Sequence, residues 1–329
     1  MRSAALAALA TLLGPVAPPT CVGADNAAPA YQPQSRVTGV IRCWGSAQME
    51  SLLKLWEAGF TRFHPTVRFE NRMYGAVSAI GGLYAGAADL ALSREIWPEE
   101  AQAFAQVKGH PPLVFEVATG SFDVPAKSDA LGVFVADDNP IEHLSLAQLA
   151  DVFTRSAAKV WGDLGLAGDR ALRPIHRYAY LYDNAGMRLF RELVTAGAPE
   201  WNWETKAFGN LATADGGRVD AGQRILDALA ADPDGIAISN PHYAGSAVKS
   251  IAIGRTAGGP FVPLNLETVR DRSYPLTRGV FLFADKIETR LAEFLRYVLS
   301  RQGRDDVARE GGYLPLLDAI LLRERAKVH

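Results

Sequence analysis

Three loops built from small residues carry the chain's clearest chemistry. They are Trp44-Gly45-Ser46-Ala47-Gln48, Tyr74-Gly75-Ala76-Val77-Ser78 and Asp183-Asn184-Ala185-Gly186-Met187-Arg188, each placed just before a stretch with helical spacing. Backbone N–H groups at a helix start have no intrahelical partner, and the helix dipole favours negative charge there, so such loops suit an oxyanion. Side chains that could add to the backbone donors are Ser46, Gln48, Ser78, Ser93 and Asn184, with Arg94, Arg177 and Arg188. Arginine matches oxyanions with two parallel hydrogen bonds. For any one loop the competing reading is an ordinary strand-to-helix turn. For Arg94 and Arg188 it is a salt bridge to Asp89 or Asp183.

The residues an enzyme would need are harder to find. The histidines are His64, His110, His143, His176, His242 and His329, and no two have the i, i+4 spacing of a helical metal site. There is no Gly-x-Ser-x-Gly elbow, no Gly-x-Gly-x-x-Gly turn and no Walker loop. Cys43 paired with a distant His is one reading, and a small buried thiol in a first strand is the other. No catalytic residue, metal or cofactor is therefore expected. With 34 basic against 36 acidic residues the surface is not one built to wrap nucleic acid.

The elements that must position these loops follow from length and periodicity. A chain of 329 residues exceeds what one core usually serves, so two lobes are expected, and 48% hydrophobic residues suffice to fill them. Residues 1–24 read as a cleaved secretory signal peptide, with Arg2, an apolar run from Ala4 to Leu13, and small residues before Ala24. That run is shorter than the about 20 residues needed to span a bilayer. Cleavage removes Cys21 and leaves Cys43 unpaired, a lipid anchor on Cys21 being the alternative. Residues 25–35 read as a flexible leader. Beyond it, strands are expected at Gly39 to Trp44, Val67 to Met73, Ala130 to Ala136, Gly235 to Ser239 and Val280 to Phe283. Helices are expected at Met49 to Phe63, Ser78 to Ala87, Ser145 to Phe153 with Ser145 as cap, Gly186 to Ala196, Gly222 to Ala231, Thr289 to Ser300 and Gln302 to Arg309. This is the rhythm of an α/β fold with a parallel sheet.

Several stretches resemble the phosphate-binding periplasmic proteins of phosphate ABC transporters, in one order. Asn139 to Leu164 (NPIEHLSLAQLADVFTRSAAKVWGDL) looks like their Asn-Pro, Leu-Ser-Leu and Trp-Gly-Asp-Leu stretch. Ala87 to Arg94 (AADLALSR), Tyr274 to Leu282 (YPLTRGVFL) and Phe294 to Leu316, ending Gly-Tyr-x-Pro-Leu, are similar to three further motifs. The resemblance implies an α/β, two-lobed periplasmic-binding-protein type II fold, each lobe a mixed, mostly parallel sheet flanked by helices. One lobe would comprise residues 36–127 plus 244–329 and the other 128–243, joined by crossing strands. It further implies a periplasmic or secreted monomer that captures phosphate or a related small oxyanion and hands it to an inner-membrane ABC permease. The site would be built on Gly45, Ser46, Ala47, Gln48, Gly75, Ala76, Ser78, Ser93, Arg94, Arg177, Asn184, Ala185, Gly186, Met187 and Arg188. Where the family carries hydroxyl residues, this chain has Ala76, Ala185 and Met187. Tyr74, Tyr178, Tyr180, Tyr182 and Trp44 crowd the same loops, which suits either a partly organic anion or packing between the lobes. The alternative to transport is a relative without tight phosphate binding that acts as a sensor or interaction protein. A secreted phosphatase is a third reading.

Overall fold

The computed structural model describes residues 28–94, 96–125, 127, 129–155, 157–196 and 200–328. The expected signal peptide, Cys21 and His329 lie outside them. In chain order the first elements are β1 (Gly39–Gly45), α1 (Glu50–Phe60), β2 (Val67–Arg72), α2 (Ala76–Tyr84), β3 (Leu90–Ser93), α3 (Pro98–Lys108) and β4 (Leu113–Thr119). Next come β5 (Gly132–Ala136), β6 (His143–Ser145), α4 (Leu146–Phe153), β7 (His176–Tyr180), α5 (Ala185–Thr195) and β8 (Lys206–Phe208). A small hairpin of β9 (Leu211–Ala212) and β10 (Arg218–Val219) precedes α6 (Ala221–Ala230) and β11 (Gly235–Ser239). The chain ends with β12 (Val248–Ser250), β13 (Ala252–Gly254), β14 (Phe261–Val262), α7 (Leu266–Arg270), β15 (Gly279–Ala284), α8 (Thr289–Val298), α9 (Arg301–Glu310) and α10 (Asp318–Arg325).

Two five-stranded sheets organise the molecule, in the orders β2-β1-β3-β15-β4 and β8-β7-β11-β5-β12. In each, four strands run one way and one is reversed: β15 in the first, β5 in the second. The two orders follow one pattern, so the β7–α5 loop occupies in its sheet the place that the β1–α1 loop occupies in the other. Sequence explains the local choices. The run Gly-Val-Phe-Val-Ala of β5 is buried on every residue, as a strand covered on both faces requires. Ser145 caps α4, its Oγ accepting from the Gln148 N–H at 3.2 Å while Gln148 reaches back to the Ser145 N–H at 2.9 Å. Each sheet has its own core, one holding Trp56, Phe60 and Phe294, the other Phe153, Trp161 and Phe190. Cys43 is fully buried in the first core, and burial pushes its thiol up, so the buried-thiol reading holds.

The reversed strands are those reached through the two crossing segments, which pair antiparallel. Leu131 N–H donates to the Leu276 carbonyl at 2.9 Å, Arg278 N–H to Asp129 at 3.2 Å, and Gly120 N–H to Arg278 at 2.9 Å. A Cβ on Gly120 would stand 2.3 Å from the Asp129 Cβ and 2.8 Å from the Arg278 carbonyl oxygen. Gly120→Ala is therefore expected to force the crossing segments apart and lower stability by about 1–3 kcal/mol in urea unfolding. An unchanged midpoint would contradict this packing.

Two expectations need correction. Residues 244–277 do not return to the first lobe: Val248–Ser250 pairs with β5, and Ala252–Gly254 with β6. Strand β5 has an edge that β12 covers, and the chain crosses back only at residues 276–279. Residues 28–35, expected to be flexible, are docked on the first unit. Ala28 and Tyr31 are buried, the Arg301 N–H donates to the Pro29 carbonyl at 2.9 Å, and the Tyr31 hydroxyl donates to Glu293 at 2.7 Å. No helix among the described residues is long and apolar enough to cross a membrane.

Candidate functional site

The expected loops lie at the carboxyl ends of β1, β2, β3 and β7, the edge at which α/β sheets place ligands. Backbone bonds tie the first-unit loops together: Gly75 N–H donates to the Gly45 carbonyl at 3.0 Å, and Ser46 N–H to the Leu92 carbonyl at 3.0 Å. Gly75 has φ 111°, a region where L side chains are strained, and this geometry starts α2 with no side-chain cap. Helix α5 opens differently. The Asn184 side chain accepts from the Gly186 N–H at 2.8 Å, and the Asn184 carbonyl from the Arg188 N–H at 3.0 Å. Both helices aim the positive ends of their dipoles at their loops.

The hydroxyl groups are largely engaged within these loops. Ser46 is buried and its Oγ accepts from the Gln48 N–H at 3.4 Å; Ser78 Oγ donates to the Gly75 carbonyl at 2.7 Å. Ser93 is buried at the end of β3. Ala47 is exposed, while Gln48, Ala76 and Ala185 are half-buried. Met187 is fully buried in the second core, so its side chain is part of the packing and not of a ligand surface.

Beneath the loops runs an ion-pair network. Asp129, fully buried between the crossing segments, accepts from Arg94 at 2.5 Å and from Arg278 at 3.3 Å, with the Ser121 N–H and Oγ on its other oxygen. Burial would raise this carboxyl, but the two guanidiniums hold it below the usual range. Beside it, Lys127 pairs with Glu310 at 3.2 Å and lies 4.0 Å from the centre of the Tyr313 ring, whose hydroxyl donates to the Gln48 carbonyl at 2.9 Å. Ser51 also donates to Glu310. Among the described residues this floor thus gathers Arg94, Arg278 and Lys127 around Asp129 and Glu310.

Arg94 is paired with Asp129, not Asp89, which Arg42 engages at 2.7 Å. Arg177 is a correction. Its guanidinium is buried and donates to the carbonyls of Val152 at 2.8 Å, Ile175 at 2.9 Å and Ala158 at 2.5 Å, inside the second unit. It holds α4 and the following turn against β7 and cannot reach a ligand from there. Burial also presses its pKa down. Arg188 stacks its guanidinium 3.6 Å from the centre of the Trp97 ring, on the first unit. Of the aromatics, Tyr178 and Tyr180 are core residues, Trp44 packs edge-on to Tyr74, and Tyr74 stays 67% exposed. The sequence reading missed Lys127, Asp129, Arg278, Glu310, Tyr313 and Trp97. Of these, Arg278, Glu310 and Tyr313 stood in stretches already singled out.

A cavity of about 380 Å³ lies at the amino ends of β1 and β3, the far end of the sheet from the loops. Of its cations, Arg42 pairs with Asp89, Lys108 with Asp285 and Lys286 with Glu288, while Arg290 donates to the Thr38 carbonyl at 3.3 Å. Among the described residues, no group of histidine, cysteine and carboxylate side chains is arranged to hold a metal ion.

Comparisons with known proteins agree with this architecture. A family model described as a PBP superfamily domain matches residues 30–302. The phosphate-binding protein PstS of Pseudomonas aeruginosa is 29% identical over 325 residues, covering 94% of each chain. Among solved structures, PstS from Borrelia burgdorferi superposes with a TM-score of 0.60 at 15% identity, covering 85% of this chain and 99% of its own. An ABC-type phosphate transport receptor from Vibrio cholerae gives a TM-score of 0.57 at 16% identity, covering 83% of this chain and 99% of its own. At those identities the structures speak for the fold.

Proposed function

The chain belongs to the PBP superfamily, and on that premise we propose that it is a solute-binding protein taking phosphate or a related oxyanion between its two units. The observation that carries this reading is the meeting of the β1, β2 and β3 loops and the start of α2 above a floor that holds Arg94, Arg278 and Lys127. The reading assigns these donors the binding of a preformed anion, without a catalytic step, metal or cofactor. On this reading the anion passes to an ABC permease, which the similarity to PstS supports, and the protein acts as a periplasmic monomer with residues 1–24 as a cleaved signal peptide.

The missing hydroxyls favour a second reading, a relative with weakened phosphate affinity that serves as a sensor. Ala76 and Ala185 stand half-buried at the two helix starts with no polar group to offer. Restoring a hydroxyl there adds a hydrogen bond to a charged ligand, worth about 1.5–3 kcal/mol. Ala76→Ser and Ala185→Ser are each expected to tighten phosphate binding about 10- to 150-fold in calorimetric titration. Affinity unchanged in both would place the anion elsewhere.

A further inference from the structure

We propose that Arg188 and Trp97 form a clasp that holds the two units closed over the site in the absence of ligand. Among the described residues, contacts between the units are made beside the crossing segments: Arg272 donates to Thr119 at 3.0 Å, Asn240 to the carbonyls of Val124 and Lys127 at 2.8 and 3.0 Å, and His242 meets Asp123 at 2.7 Å. The Arg188–Trp97 contact instead joins the site loops themselves. Arg188 stands in the first turn of α5, and Trp97 immediately precedes α3, which follows the β3 loop.

Both partners are held for this contact before it forms. Trp97 is fixed by the start of α3, where Pro98 sets the backbone and Glu100 accepts from the Trp97 N–H at 2.9 Å. Trp97 remains 38% exposed although Phe104 on the helix it precedes is fully buried, so the indole is not required by the core. On α5, Met187, Leu189 and Phe190 are buried, which leaves Arg188 on the side of the helix that faces the first unit. A guanidinium 3.6 Å above an indole is the favoured cation–π arrangement.

The clasp changes what a ligand must do. In a protein that stays open until filled, the ligand drives closure; here the closed state is populated beforehand, and entry waits on opening. Losing one cation–π contact shifts the closed-to-open ratio about 2- to 30-fold, and the association rate constant of an anion rises by up to the same factor. The proposal gives this gating to the site described above, but its test does not require phosphate to bind.

Small-angle scattering of the full chain stripped of phosphate decides the matter, with far-UV circular dichroism to verify folding. The wild type is expected to keep one radius of gyration with and without phosphate. Trp97→Ala and Arg188→Ala are expected to expand when stripped, and Trp97→Phe, which keeps an aromatic face, to stay nearer the wild type. A stripped wild type that expands relative to a phosphate-filled sample, or alanine variants as compact as the stripped wild type, overturns the clasp. If calorimetry finds no phosphate binding, the function proposed above fails while the comparison of stripped proteins still judges the clasp.

Discussion

Asp129→Asn is expected to cost about 3–5 kcal/mol of unfolding free energy. The carboxylate is fully buried and has Arg94 at 2.5 Å and Arg278 at 3.3 Å, whose side chains are only 14% and 8% exposed. Such a pair contributes little net energy while intact, because desolvation opposes the attraction, but removing one partner strands the other charges away from water. Both guanidiniums would then lose the buried carboxylate they share between the crossing segments, beneath the site. Urea unfolding followed by circular dichroism gives the figure. A loss under about 1 kcal/mol would mean that water reaches this network.

The second large effect concerns residues 28–35. Glu293 is fully buried and gathers the Tyr31 hydroxyl at 2.7 Å, the Gln34 and Ser35 N–H groups at 3.2 and 2.9 Å, and Arg296 at 2.9 Å. Glu293→Ala leaves these donors and the Arg296 charge without their acceptor, again about 3–5 kcal/mol. The docked segment should also detach, and limited proteolysis should cleave near Tyr31 in the variant while sparing the wild type. Equal cleavage of both would contradict the role given to Glu293.

Both carboxyls also predict a pH dependence. Burial would raise each, yet Arg94 and Arg278 hold Asp129 below its ordinary range, and Tyr31 and Arg296 do the same for Glu293. A carboxyl lowered in the folded state contributes stability that is present above its unfolded pKa, about 4, and is lost as pH falls through the folded value. The wild type should therefore lose stability on acidification below about pH 4, and Asp129→Asn should lose part of that slope. Parallel stability curves for the two proteins would contradict the assignment.

What the sequence revealed and concealed divides by range of interaction. Local signals were readable: the Ser145 cap with Gln148 three residues on, the apolar run Gly235–Ser239, and the small-residue loops before α1, α2 and α5. The docking of Tyr31 was not, since its partner Glu293 is 262 residues away in a helix whose pattern reads as amphipathic. The same holds for Asp129 and Arg278, 149 residues apart. A signal existed there, because Asp129 directly precedes an apolar strand and a charge in that place needs a partner. Arg177 misled for the opposite reason. An arginine in a strand near a site loop has the chemistry of an anion ligand, and nothing in the sequence says that three backbone carbonyls already take its donors.

Calorimetric titration of the folded, phosphate-free protein with inorganic phosphate tests the central claim most directly. Saturable heat at one phosphate per chain, lost when Gly75→Val disturbs the start of α2, is the predicted result. No heat from a sample shown to be folded and free of phosphate would contradict phosphate capture between the two units.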